Sequence, residues 1–165
     1  MFEATQEVLA AAGLPAYEVS NHAAPGQESR HNLTYWQHRD YLGIGPGAHG
    51  RIGGPDGVRA TRQHRAPEIW LERVLANGHA TQEDDILAPD TLVEEVTMMG
   101  LRLTGGIDAA EFKRRTGSRP GAVFAADAVA RLVAGDYLEW SEDGFAATPA
   151  GRQRLNAVLE SLLSS

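Results

Sequence analysis

Tyr137-Leu138-Glu139-Trp140 and Phe145-Ala146-Ala147 stand on either side of Ser141-Glu142-Asp143-Gly144, and Thr148-Pro149 follows directly. Two short apolar and aromatic runs around a Ser/Glu/Asp/Gly cluster predict a hairpin. Thr148 predicts the N-cap of a last helix, with Pro149 in its first turn. Leu155, Val158, Leu159 and Leu162 recur on one face of that helix. Moving upstream, Gly121 to Ala134 reads as a helix stopped by Gly135. Asp108 caps a shorter one through Arg115, with Glu111 at the capping-box position. Pro89 to Leu103 carries Leu92, Val96, Met99 and Leu103 at helical spacing. Gly100 sits inside that pattern at a cost of about 1 kcal/mol relative to Ala. Helix, helix, helix, two-stranded wing, helix is the order of a winged-helix-like domain, assigned to residues 89–165.

The texture differs before residue 89. Gln82 to Ala88 is acidic and reads as a linker. Pro67 suits the first turn of a helix running to Asn77 and closed by Gly78. Residues 61–88 are thus a connecting helix and linker. In residues 1–60, Thr5 to Ala12 predicts a helix with Gly13 as its C-cap. Ala16 to Ser20 predicts a strand, which completes one αβ step. Asn21 to Trp36 reads as a loop with Pro25-Gly26 as its turn signal. Tyr41 to Ile44 predicts a short buried strand. Six glycines and two prolines between Gly45 and Gly57 exclude a helix interior there. Pro55-Asp56-Gly57 would join Ala48–Ile52 to Val58–Thr61 as a hairpin. The fold class is α+β.

Composition narrows the chemistry. The 165 residues include 15 basic and 22 acidic side chains, six histidines and no cysteine. Disulfides, Cys-ligated zinc, a Cys-ligated iron–sulfur cluster and a thiol nucleophile are excluded for this chain. The net charge of -7 argues against a nucleic-acid partner. From Pro89 onward eight basic residues face eleven acidic ones, so the winged-helix-like order carries no basic surface. No apolar run approaches the roughly 18 residues of a membrane span. The first residues lack the basic and small-residue features of a secretory signal, and the expected location is cytoplasmic.

Two segments carry possible sites. Gly45, Gly47 and Gly50 match G-x-G-x-x-G, but a dinucleotide site needs a helix directly after them and none is expected before Pro67. The glycines instead suggest backbone that passes close to another strand or to a ligand. No histidine pair has the helical spacing of a zinc site. In His31-Asn32-Leu33-Thr34-Tyr35-Trp36, two aromatics lie beside an imidazole and a carboxamide. They could wall a planar-ligand pocket, or pack a loop onto the core.

Tyr17-Glu18-Val19-Ser20-Asn21, Ser29-Arg30-His31-Asn32-x-x-Tyr35-Trp36 and Tyr41-Leu42-Gly43-Ile44-Gly45-Pro46-Gly47-Ala48-His49-Gly50 closely resemble a block of the HemW family. These are heme chaperones of the radical S-adenosylmethionine (SAM) superfamily, similar to oxygen-independent coproporphyrinogen III oxidases. True oxidases of that type differ at the H-N-x-x-Y-W string. The resemblance implies that residues 1–60 are terminal αβ elements of a partial (β/α) radical SAM barrel, ahead of a C-terminal domain. It implies heme binding by His31, Asn32, Tyr35 and Trp36, with His31 as the iron ligand. Gly43, Ile44, Gly45, Gly47 and Ala48 would lie near SAM. The parent would hold a [4Fe–4S] cluster on cysteines this chain lacks, so this chain is expected to make no radical of its own and supplies no catalytic residue. Heme-accepting proteins and the N-terminal half of the barrel are the implied partners. Unpaired barrel edges would invite homo-oligomerisation. The rivals are a fragment of a porphyrinogen oxidase and a winged-helix DNA-binding module.

Overall fold

A computed structural model describes residues 2–164. Its Cα packing separates two compact units, residues 2–37 with 93–164, and residues 38–92.

The larger unit begins with α1 (Phe2–Ala11) and α2 (Arg30–Trp36). The expected strand at Ala16–Ser20 does not form. That segment makes single antiparallel bridges, Ala16 to His22 and Glu18 to Leu103. The hexapeptide expected in a loop is α2. Ser29 caps it, its hydroxyl accepting from the Asn32 N–H at 3.3 Å.

The smaller unit holds β1 (His49–Gly54), β2 (Gly57–Gln63), α3 (Pro67–Asn77) and β3 (Thr81–Ile86). The strands form an antiparallel sheet in the order β1-β2-β3, with Gly54 opposite Gly57 at the hairpin turn. Val58 on β2, Ala80 just before β3 and Leu92 are buried apolar residues of this unit. The acidic run expected as a linker is therefore an edge strand. Arg59 pairs with Asp84 at 2.9 Å and Arg62 with Glu83 at 3.2 Å, which offsets the repulsion within the run. Tyr41–Ile44, also expected as a strand, contributes only the Tyr41–Arg51 bridge. Leu42 and Ile44 are exposed, so the run is not the buried strand expected.

The larger unit continues through α4 (Pro89–Gly100), β4 (Ile107–Asp108), α5 (Ala109–Thr116), α6 (Pro120–Val123), α7 (Ala126–Ala134), β5 (Leu138–Trp140), β6 (Gly144–Ala147), α8 (Pro149–Gln153) and α9 (Leu155–Leu163). The caps fall where local chemistry puts them. Asp108 accepts from the Glu111 N–H at 2.8 Å, and Thr148 from the Gly151 N–H at 3.0 Å. The hairpin gains a third strand, giving the order β4-β6-β5. Gly100 has a packing reason, because a Cβ there would collide with the Ile107 side chain. The helix expected over Gly121–Ala134 breaks at Phe124, whose extended backbone sends the ring into the core. Phe112 lies 5.8 Å from Phe124 and 5.7 Å from Phe145 between ring centroids. The last helix also breaks, at Arg154, into α8 and α9. Leu155, Val158 and Leu162 are buried on its inner face. Among the described residues, no helix is long and apolar enough to cross a membrane.

Candidate functional site

The H-N-x-x-Y-W spacing has a simple meaning once the segment is helical. It is two interleaved i,i+4 pairs, one position apart, and such pairs stack on one face of a helix. His31 and Tyr35 form the outer pair. The His31 imidazole is exposed, and its Nε2 lies 3.3 Å from the Tyr35 hydroxyl. The two rings meet edge to face, with centroids 4.7 Å apart and planes at 78°.

Asn32 and Trp36 form the inner pair, and both are half-buried. The Asn32 amide donates to the Tyr17 hydroxyl at 3.0 Å. The Arg102 guanidinium lies over the Trp36 ring, 4.4 Å from its centroid. The Trp36 indole N–H is buried with no hydrogen-bond partner among the described residues.

Arg102 is held from below. Its Nη2 donates to Glu18 Oε2 at 3.1 Å. Glu18 has no exposed surface. Its other oxygen accepts from the Ser20 N–H at 2.7 Å, the Ser20 hydroxyl at 2.9 Å and the Asn21 amide at 2.6 Å. Burial pushes the Glu18 carboxyl up. The Ser20 and Asn21 hydrogen bonds and the Arg102 charge outweigh that push, and hold it below its ordinary value. Thr104 fastens the same segment, its N–H donating to the Tyr17 carbonyl at 3.0 Å and its hydroxyl at 3.2 Å.

The four residues singled out in the hexapeptide thus share one short helix, and Tyr17, Glu18 and Arg102 join them. Glu18 lies in a motif visible in the sequence. Arg102 has no local signal, being 84 residues away from Glu18.

The glycine-rich residues belong to the other unit. A Cβ on Gly43 would collide with the His49 carbonyl, so the close approach met there is the chain's own backbone. Ile44 is 86% exposed, and Gly45 takes φ +104° with open space around it. Two other histidines do loop work. His64 Nδ1 accepts from the Ala66 N–H and His79 Nδ1 from the Thr81 N–H. Among the described residues, no group of three or more His, Cys, Asp or Glu is arranged to hold a metal ion.

The donor set fits heme and does not fit a thiolate cluster. An exposed imidazole nitrogen beside aromatic edges is within reach of a planar iron complex. The sequence contains no cysteine that could hold iron–sulfur.

Residues 87–154 match the family model of the HemN C-terminal domain. The heme chaperone HemW of Escherichia coli is 33% identical over 165 residues, which are 99% of this chain and 42% of that protein. The chain is a homologue of the HemW proteins. The mitochondrial radical S-adenosyl methionine domain-containing protein 1 of Bos taurus is 44% identical over 111 residues. That alignment takes in 65% of this chain, and the HemW-like chain spans only 25% of the cattle protein's length. The solved E. coli coproporphyrinogen III oxidase HemN, a radical SAM enzyme, shares the fold with a TM-score of 0.68 at 17% identity. The superposition covers 96% of this chain and 39% of that one.

Proposed function

We propose that this chain is the heme-binding part of a radical SAM-family heme chaperone that acts in the cytosol and passes heme to acceptor proteins. The observation that carries the reading is the outer face of α2. There an exposed imidazole and a phenol stand side by side in a sequence homologous to HemW proteins. His31 offers the nitrogen for iron. Tyr35 orients that ring, and Asn32 and Trp36 hold the helix that carries both. Heme is the cargo, and a single exposed histidine suits a carrier that must also release it.

The cluster and most of a SAM pocket would belong to a longer parent, with the Gly43–Ala48 backbone near the SAM nucleoside. The terminal αβ elements of a partial barrel remain part of this proposal, supported by the fold shared with HemN. So does a winged-helix-like domain, supported by the succession α4, β4, α5, α7, β5, β6. Its acidic balance favours packing over DNA.

Titrating hemin into the protein and into His31→Ala tests the reading. A loss of affinity on the order of ten- to a hundredfold, with a shifted Soret band, is expected. Unchanged affinity with an unchanged band would sink the assignment of His31.

A further inference from the structure

Tyr17, Asn32, Trp36, Arg102 and Glu18 close a ring of contacts. Asn32 bonds the Tyr17 hydroxyl, and helix α2 runs from Asn32 to Trp36. Arg102 covers Trp36 and pairs with Glu18, and Glu18 is bonded to Tyr17 through the chain. Every link in the ring except Arg102 comes from residues 17–36. Arg102 comes from the turn that follows α4, inside the segment matched to the HemN C-terminal domain.

We infer that Arg102, anchored by Glu18, is a positioning residue through which the HemN C-terminal domain sets the orientation of the His31–Tyr35 face. The inference rests on the heme-binding reading of α2. The physical case lies in what Arg102 adds to that helix. A seven-residue helix is far below the length that is stable alone in water. His31 on its outer face is exposed, and the inner pair ties the helix to residues 17 and 102. Asn32 supplies one neutral hydrogen bond. Trp36 supplies the larger area, and a guanidinium covers its ring, an arrangement that strengthens as water is excluded. A buried carboxylate with both oxygens engaged then fixes the guanidinium in place. Groups that orient a metal-binding histidine from behind govern affinity without touching the metal.

The test compares the protein with Arg102→Ala, Arg102→Lys and His31→Ala. One measurement is a hemin titration followed to saturation. The other is acrylamide quenching of Trp36, read in a Trp70→Phe/Trp140→Phe background. Arg102→Ala should weaken hemin binding roughly ten- to a hundredfold. It should also change the absorption envelope of hemin bound at saturation, while the far-ultraviolet circular dichroism is retained. A mere loss of stability would not move that envelope. It should open Trp36 to quencher. Arg102→Lys, which keeps the charge on Glu18 but not the planar cover, should restore part of both effects. The parent affinity and spectrum in Arg102→Ala would overturn the inference, and so would unchanged quenching of Trp36. If instead hemin binding is unaffected by His31→Ala, the functional reading fails. The quenching arm then still decides whether Arg102 holds the helix.

Discussion

Burying a carboxylate is costly unless each oxygen is paired, and Glu18 meets that demand with donors from Ser20, Asn21 and Arg102. The consequence for pH follows from the sign of its shift. Its folded value lies below the ordinary 4.5, so the unfolded chain binds that proton more readily. The stabilisation is therefore fully present above that value and is lost as pH falls through the folded one. Urea unfolding followed from about pH 6 down to about pH 3 should show stability falling on the acid side. Glu18→Gln should be less stable at the upper end and flatter toward the lower. A parallel decline in both proteins would show that other groups carry the acid sensitivity.

At the scale of elements, α2 depends on its cap as well as its packing. Ser29→Ala removes the acceptor for the Asn32 N–H and should cost about 1 kcal/mol of helix stability. Hydrogen exchange of the α2 amides should speed up, with little change in the amides of α9. The elements that the sequence announces are those with local punctuation. Asp108, Thr148-Pro149 and Gly78 each act within one turn of the chain, and each terminates or starts a helix as expected. Others needed a partner far away. Thr81–Ile86 looks like a solvated acidic run until Arg59 and Arg62 stand opposite it. Ala16–Ser20 has strand composition but finds only single bridges. The site divides the same way. The H-N-x-x-Y-W residues are legible through a resemblance, and their i,i+4 spacing gains its meaning only once the segment is helical. Arg102 was not legible, because only the folded chain brings it over Trp36.

For the whole molecule, the aromatic core of the larger unit is a store of stability that a point change can reach. Phe112 is fully buried among Phe124 and Phe145. Phe112→Ala should cost about 3–5 kcal/mol, a large share of the roughly 5–15 kcal/mol that holds a domain folded. Equilibrium denaturation would show it as a lower midpoint. An effect under about 1 kcal/mol would mean that the site collapses around the missing ring.

The larger unit is discontinuous in the chain, residues 2–37 being completed by residues 93–164. Translation therefore delivers its halves at different times. Residues 38–92 can close their three-stranded sheet as soon as they emerge, whereas Glu18 must wait for Arg102, Leu103 and Thr104. At roughly 5–20 residues per second that wait is on the order of ten seconds. Throughout it, the Glu18 carboxylate, destined for full burial, leaves the ribosome charged and hydrated. A ribosome stalled before codon 102 would hold a nascent chain whose candidate heme-binding helix has its aromatic residues but not the clasp that sets them.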